Sequence, residues 1–290
     1  MSLAESSVPL SFTDRVVLFT AKNWLLLFAV VFGVYVFLPF LAPVFMYLGW
    51  ESMGRAIYTI YSFLCHQLPE RSYFFFGPKV SYSIPEIQLA WKDTLDPMIL
   101  RQFVGNPAMG WKVAWSDRMV SMYVSTWLFG LLWWPLRKRL KPLPWWGLIL
   151  FLLPMGIDGT THMISDIAGL GQGFRYSNAW LAALTGNAYP LAFYAGDALG
   201  SFNAWMRILT GIFFGIGVVW FGFPYLEQAF RDTERTLQTK AERLDAQRAY
   251  DEEVYQMLVK LAQEGKEPQD MVSSSQPKNG SEQIIKPEPK

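Results

Sequence analysis

The stretch NWLLLFAVVFGVYVFLPFLAPVFMYLGW, Asn23 to Trp50, contains no charged residue. About 20 predominantly apolar residues cross a hydrocarbon core about 30 Å thick, so this run is long enough to span a bilayer. A secretory leader does not fit, because its apolar region is only about 7–15 residues long and ends in a small-residue cleavage site. Pro39 and Pro43 predict a kink, or the point where the helix leaves the membrane.

The composition around this run agrees with it. Hydrophobic residues make up 52% of the 290-residue chain and charged residues 17%, against about 25% charged in a typical soluble domain. The formal net charge is +1, and no basic stripe with interleaved aromatics marks a nucleic-acid surface. A single cysteine, Cys65, excludes an internal disulfide.

Two further uncharged runs, Met119 to Leu136 and Pro142 to Ile157, predict a second and a third span, and Ile208 to Leu226 a fourth. Residues 52–67 form a shorter apolar stretch interrupted by Arg55 and closed by Pro69. At 1.5 Å per residue it reaches only about 24 Å, which predicts an interfacial or re-entrant helix. Full crossing by residues 52–76 is the five-span alternative. The expected fold class is therefore all-α: a polytopic helical membrane bundle of four, or alternatively five, transmembrane helices with interfacial helices and a cytoplasmic C-terminal helix.

The expected organisation follows. Residues 1–22 form a cytoplasmic N-terminal segment and residues 23–226 the membrane domain. Residues 77–118 form an external loop broken by Pro78, Pro85, Pro97 and Pro107. Residues 227–264 alternate in charge and predict a solvated helix with an interrupted heptad seam through Phe230, Leu237, Leu244 and Leu258. Residues 265–290, rich in Pro, Ser, Lys, Glu and Gln, predict disorder. A short internal repeat places Asn178-Ala179-Trp180 and Asn203-Ala204-Trp205 at the head of matching segments; the first copy, 176–196, predicts a half-inserted or surface helix. Arg137, Lys138, Arg139 and Lys141 crowd one short turn, which favours the cytoplasmic side of a cell membrane; four spans then put both termini in the cytoplasm, and the five-span alternative puts the N-terminus outside.

That topology brings separated polar motifs to one face. They are Cys65, His66, Gln67, Glu70 and Arg71; then Arg118; then Asp158 and His162; and finally Asn203 and Arg207. Ionisable groups at membrane depth cost about 2.5–3.5 kcal/mol each on insertion scales and usually face an interior or a water-filled cavity. Asp158 should lie within reach of Arg118 or Arg207, with His66 and His162 on one cavity. Each group also has a plainer reading: Cys65 as a small buried hydrophobe, Glu70 and Arg71 as an interfacial ion pair, Pro154 and Gly159 as a helix end, and Asp158 as a cap of the following turn.

Cys65-His66-Gln67-Leu68-Pro69-Glu70-Arg71-Ser72, Pro154 with Asp158-Gly159, and Asn203, Arg207, Thr210 and Gly211 together resemble the DUF2085 family of predicted bacterial and archaeal membrane proteins. The resemblance covers roughly residues 40–226. It departs at Ser116-Asp117-Arg118-Met119, where that family usually has Cys-x-Arg-Cys. The resemblance implies the membrane class and these residues, and no reaction.

Three functional readings follow. The leading one is a membrane subunit or scaffold, with its polar cluster at the outer face and a protein partner met through the 227–264 helix. The alternative is a membrane-embedded metal- or thiol-dependent enzyme using Cys65, His66, Asp158 and His162, with a divalent metal such as zinc. The third is a transporter with Asp158 at its gate, ranked last because the charges gather at one surface and not at the midplane.

Overall fold

The computed structural model describes residues 10–264; the expected tail 265–290 and residues 1–9 lie outside them. The chain divides into two units. One is Thr20–Arg231, and the other comprises the terminal stretches up to Phe19 and from Asp232. In the terminal unit, Lys240 pairs with Asp14 at 2.7 Å and Leu237 is buried.

Four helices are long and apolar enough to cross a membrane: Phe12–Tyr47, Asp117–Leu136, Trp145–Asp166 and Phe202–Gln263. The protein is a multi-pass helical membrane bundle in contact with lipid. Most of each apolar window faces outward; in the third span only 17% of it is buried inside the protein. Hydrocarbon solvates those side chains, while the helix satisfies its own backbone groups.

The first span starts well before Asn23, so the polar lead-in is helical from Phe12 and bends at Asn23, whose φ of −116° is non-helical. Pro39 sits in a 3₁₀ turn, Leu38–Phe40, and the helix resumes to Tyr47. Within this span Phe28–Phe32 is a π-helical turn. Such a turn leaves a carbonyl short of its usual donor, and Trp127 Nε1 donates to Ala29 O at 2.9 Å. Gly33 leaves room for that indole: a Cβ there would stand 2.9 Å from Trp127 Nε1.

The second and fourth spans touch through small residues. A Cβ on Gly211 or Gly215 would lie 2.1 Å from Ser121 Oγ or Ser125 Oγ respectively. The hydroxyls use this proximity, donating to Arg207 O at 3.1 Å and Gly211 O at 3.2 Å. Close backbone approach with serine cross-links is the usual way helices associate where no hydrophobic effect drives them together. Near the basic turn, Trp24 Nε1 donates to Glu227 at 3.1 Å and Arg137 stands 3.6 Å from the same carboxylate.

The segment between the first two spans is folded. The expected interfacial helix is Glu51–Tyr61. The expected loop 77–118 contains helices Ile84–Ala90 and Pro97–Leu100 and two strands. Strand β1 (Ser72–Phe75) and strand β2 (Gly105–Asn106) flank β3 (Gly110–Ser116) in an antiparallel sheet of order β1-β3-β2. Val113, Ala114 and Trp115 of β3 are fully buried against Tyr58, Tyr61 and Cys65. A second core gathers Leu68, Phe74, Ile87, Leu100 and Phe103. The turn before helix Ile84–Ala90 is closed by a capping box, Ser83 N donating to Glu86 at 2.8 Å.

One expected helix end and one expected helix are corrected. The third span continues through Pro154 and Gly159 to Asp166, so Asp158 lies within a helix and caps no turn. The stretch 176–196 is broken into short pieces, Ala179–Leu184 and Leu191–Tyr194 following Phe174–Ser177, because Asn178 and Asn187 take left-handed φ of 42° and 58°.

Candidate functional site

Strand β3 ends at Ser116 and the second span begins at Asp117 with no intervening residue. Asp117 and Arg118 are thereby fixed at the mouth of the bundle. The third span carries Asp158, His162 and Asp166 at steps of four, which is one helix face. The fourth span presents Asn203 and Arg207 from its first turns by the same spacing.

These faces meet in a network of paired charges. Asp158 is buried, and its two oxygens accept from Arg118 Nη2 and Arg175 Nη2, each at 2.6 Å. Arg207 donates to Asp117 through Nε at 2.9 Å and to Asp197 through Nη1 at 2.7 Å. Arg71 reaches Asp197 at 3.0 Å and grips Asp166 with both terminal nitrogens, at 2.8 and 2.9 Å. Glu70 and Arg71 are thus not an ion pair with each other; Arg71 turns to two aspartates.

Arg175, Asp166 and Asp197 escaped the sequence reading as members of the cluster, whereas Asp117 stands in the Ser116-Asp117-Arg118 motif it placed at this face. Arg175 had one indirect signal in the repeat. Asn178 Nδ2 and Asn203 Nδ2 each donate to Arg175 O at 2.7 Å, and the two asparagines meet at 3.2 Å. Both are fully buried. The two repeat heads therefore converge on the backbone of the residue that holds Asp158.

Burial alone would raise the Asp197 carboxyl, but Arg71 and Arg207 overturn that and hold it well below the usual carboxylate range. Glu70 is in the opposite situation. Among the described residues neither of its oxygens meets a hydrogen-bond donor from another side chain, and burial pushes it up to about 6 against the pull of Arg71. Lys112 is also fully buried; burial lowers it to about 7 while Glu70 pulls the other way. Its Nζ donates to Gln67 O at 2.6 Å and Arg101 O at 2.8 Å.

A pH dependence follows from Glu70. Its folded value, about 6, lies above the ordinary 4.5, so the folded state binds the proton more tightly than the unfolded chain. The stabilisation is complete below about pH 4.5 and is lost as pH rises through about 6. Melting temperatures between these limits should fall with pH in the wild type more steeply than in Glu70→Gln. Identical slopes would show that Glu70 does not titrate there.

A cavity of about 510 Å³ opens beside the network, lined by Cys65, His66, Arg71, Arg118, His162 and Arg207 among others. Ser116 and Met119, at the positions where the resembled family usually has cysteines, line it too. Gln67 lines it as well, its amide donating to Tyr58 O at 2.9 Å, and its positive φ of 53° shapes the turn. Cys65 is buried, and its Sγ accepts from Gln67 N at 3.4 Å.

The donors suit a metal poorly. Both Asp158 oxygens are occupied by arginines, and His162 Nε2 stands 3.1 Å from the donor Arg175 Nη2, so it accepts a hydrogen bond there. Among the described residues no three His, Cys, Asp or Glu side chains gather as ligands. The set Cys65, His66, Asp158 and His162 therefore does not fit the zinc centre that the sequence left open.

No solved structure matches the chain. An uncharacterised protein of Methanocaldococcus jannaschii is 28% identical over 175 residues, which cover 57% of this chain and 88% of that protein. Residues 107–221 match the family of predicted membrane proteins DUF2085. Those residues begin after the Cys65 motif and include Arg118, Asp158, Arg175, Asp197 and Arg207. The charged heart of this membrane protein, and the spans that carry it, is thus similar to the DUF2085 family.

Proposed function

We propose that this protein is a non-catalytic subunit or scaffold of a cell membrane, with both termini in the cytoplasm and its polar cluster at the outer face. One observation carries the reading: each of Asp117, Asp158, Asp166 and Asp197 is held by an arginine. A carboxylate so engaged is poorly placed to move a proton or take a ligand, and well placed to lock helices together. The cluster joins the second, third and fourth spans to the segments around Arg71, Arg175 and Asp197. The helix 232–263 offers Tyr250 and Leu258, both exposed, to a protein partner.

Photo-crosslinking from Tyr250 and Leu258 in the native membrane tests this reading. A discrete adduct with one other protein is expected, and its absence at both positions would overturn the partner role. The orientation rests on Arg137, Lys138, Arg139 and Lys141. A cysteine placed at Lys92 should react with an impermeant reagent from outside, and one at Lys138 should react only after the membrane is opened. Labelling of position 138 in sealed cells would reverse the topology.

A further inference from the structure

The charge pairing is uneven in a way that points to a ligand. Arg71 and Arg207 share Asp117, Asp166 and Asp197, so two cations there face three carboxylates. On the other side Arg118 and Arg175 share Asp158 alone. Two guanidiniums with one carboxylate leave an excess positive charge at Arg118 and Arg175. Among the described residues the Nε of Arg118 and that of Arg175 are both without a partner, and Arg118, whose Nη2 serves Asp158, is the one on the cavity wall.

Arg118 lies on the cavity wall beside exposed His66 and the Ser116 hydroxyl. Next to it, His162 Nε2 accepts from Arg175, and Nδ1, which then carries the proton of the neutral ring, has no partner among the described residues. The unsatisfied groups here are donors, and the group that completes them is an acceptor bearing negative charge.

The cavity does not end at the charges. A groove of about 400 Å³ runs along the third span over Leu152, Met155, Gly156 and Phe214, and shares Gly159 and Met163 with the cavity. Gly159 is the pass between them, because a Cβ there would stand 3.2 Å from Arg118 Nη1. At Gly156 a Cβ would meet nothing within 4 Å, so the groove floor is open. Leu153, Ile157 and Ile164 beside it are exposed, as befits a surface that faces acyl chains. A chamber with positive charge on its Arg118 side therefore adjoins an apolar trough at membrane depth.

We propose that this composite site binds an amphiphile with a monoanionic oxygen headgroup. The headgroup rests on Arg118 with His66 and Ser116, and one hydrocarbon chain lies over Gly159 and Gly156. The occupant is a membrane lipid, and the inference stands whether or not the scaffold reading does. Phosphodiester and carboxylate headgroups share the required chemistry.

Native mass spectrometry of the delipidated full chain in detergent tests it, with phosphatidylglycerol, oleate, phosphatidylcholine and inorganic phosphate as probes. Phosphatidylglycerol or oleate should form a one-to-one adduct, and the preferred one identifies the headgroup; phosphatidylcholine should bind about tenfold more weakly, and phosphate should not compete. Gly159→Leu should close the pass and Met163→Trp should crowd its lip, each weakening the adduct about tenfold. Arg118→Gln should abolish the preference for an anionic headgroup, but it also breaks the Asp158 pair. Met163 belongs to no ion pair, so Met163→Trp keeps the test decisive if that protein fails to fold. Equal binding of phosphatidylcholine, saturation by free phosphate, no adduct, or unchanged binding in both Gly159→Leu and Met163→Trp would overturn the proposal.

Discussion

Asp158→Ala is expected to destabilise the folded protein by about 3–5 kcal/mol, as is usual when one partner of a buried pair is removed. The loss is large because the carboxylate serves two arginines at once. Alanine leaves Arg118 and Arg175 facing each other with the attraction gone, and Arg175 also loses the anchor that orients it toward Thr161 and His162. Asp158→Asn keeps the shape and one acceptor, so it should cost less than alanine. Thermal unfolding in one detergent, wild type beside both variants, measures the difference. A loss under about 1 kcal/mol for alanine would put the pair in the class of solvated bridges.

Lys112→Ala should cost about 3–5 kcal/mol, through a different route. The side chain fills a fully buried place beside β3, so truncation leaves a cavity. It also strips the donor from Gln67 O and Arg101 O, two carbonyls from segments otherwise distant in sequence. Lys112→Met restores most of the volume but neither hydrogen bond, and should fall between wild type and alanine. If methionine proves as stable as lysine, the two carbonyls find water and the ammonium is not the clasp.

The contrast between these residues explains what could be read in the chain. The four spans were legible because an uncharged run of bilayer length admits few other structures. Asp158, His162, Asn203 and Arg207 were legible as members of a cluster because helical spacing and alternating topology constrain their depth. Strand β3 was not: Gly110-Trp111-Lys112-Val113-Ala114-Trp115-Ser116 puts a lysine among apolar residues, with Pro107 just before it, and its burial is decided by Tyr58 and Tyr61 from a distant helix. The third span ran past Ile157 because Asp158 and His162 find partners along its face, so polarity did not mark the helix end. Asp166 and Asp197 meet Arg71 across 95 and 126 residues of chain. Pairings over such distances leave no periodicity to detect. Their only trace is a lone acid in an apolar neighbourhood.

The junction at Ser116 and Asp117 has a mechanical meaning. A strand that becomes a helix without a linker has no slack in which to absorb rotation. The second helix is therefore a shaft keyed to the sheet: a turn about its long axis would wring β3 against β1 and β2. The same shaft is geared to the fourth helix by Ser121 and Ser125 meshing with Gly211 and Gly215. Arg118, in the first turn of that shaft, ties the wall of the chamber to the same coupling.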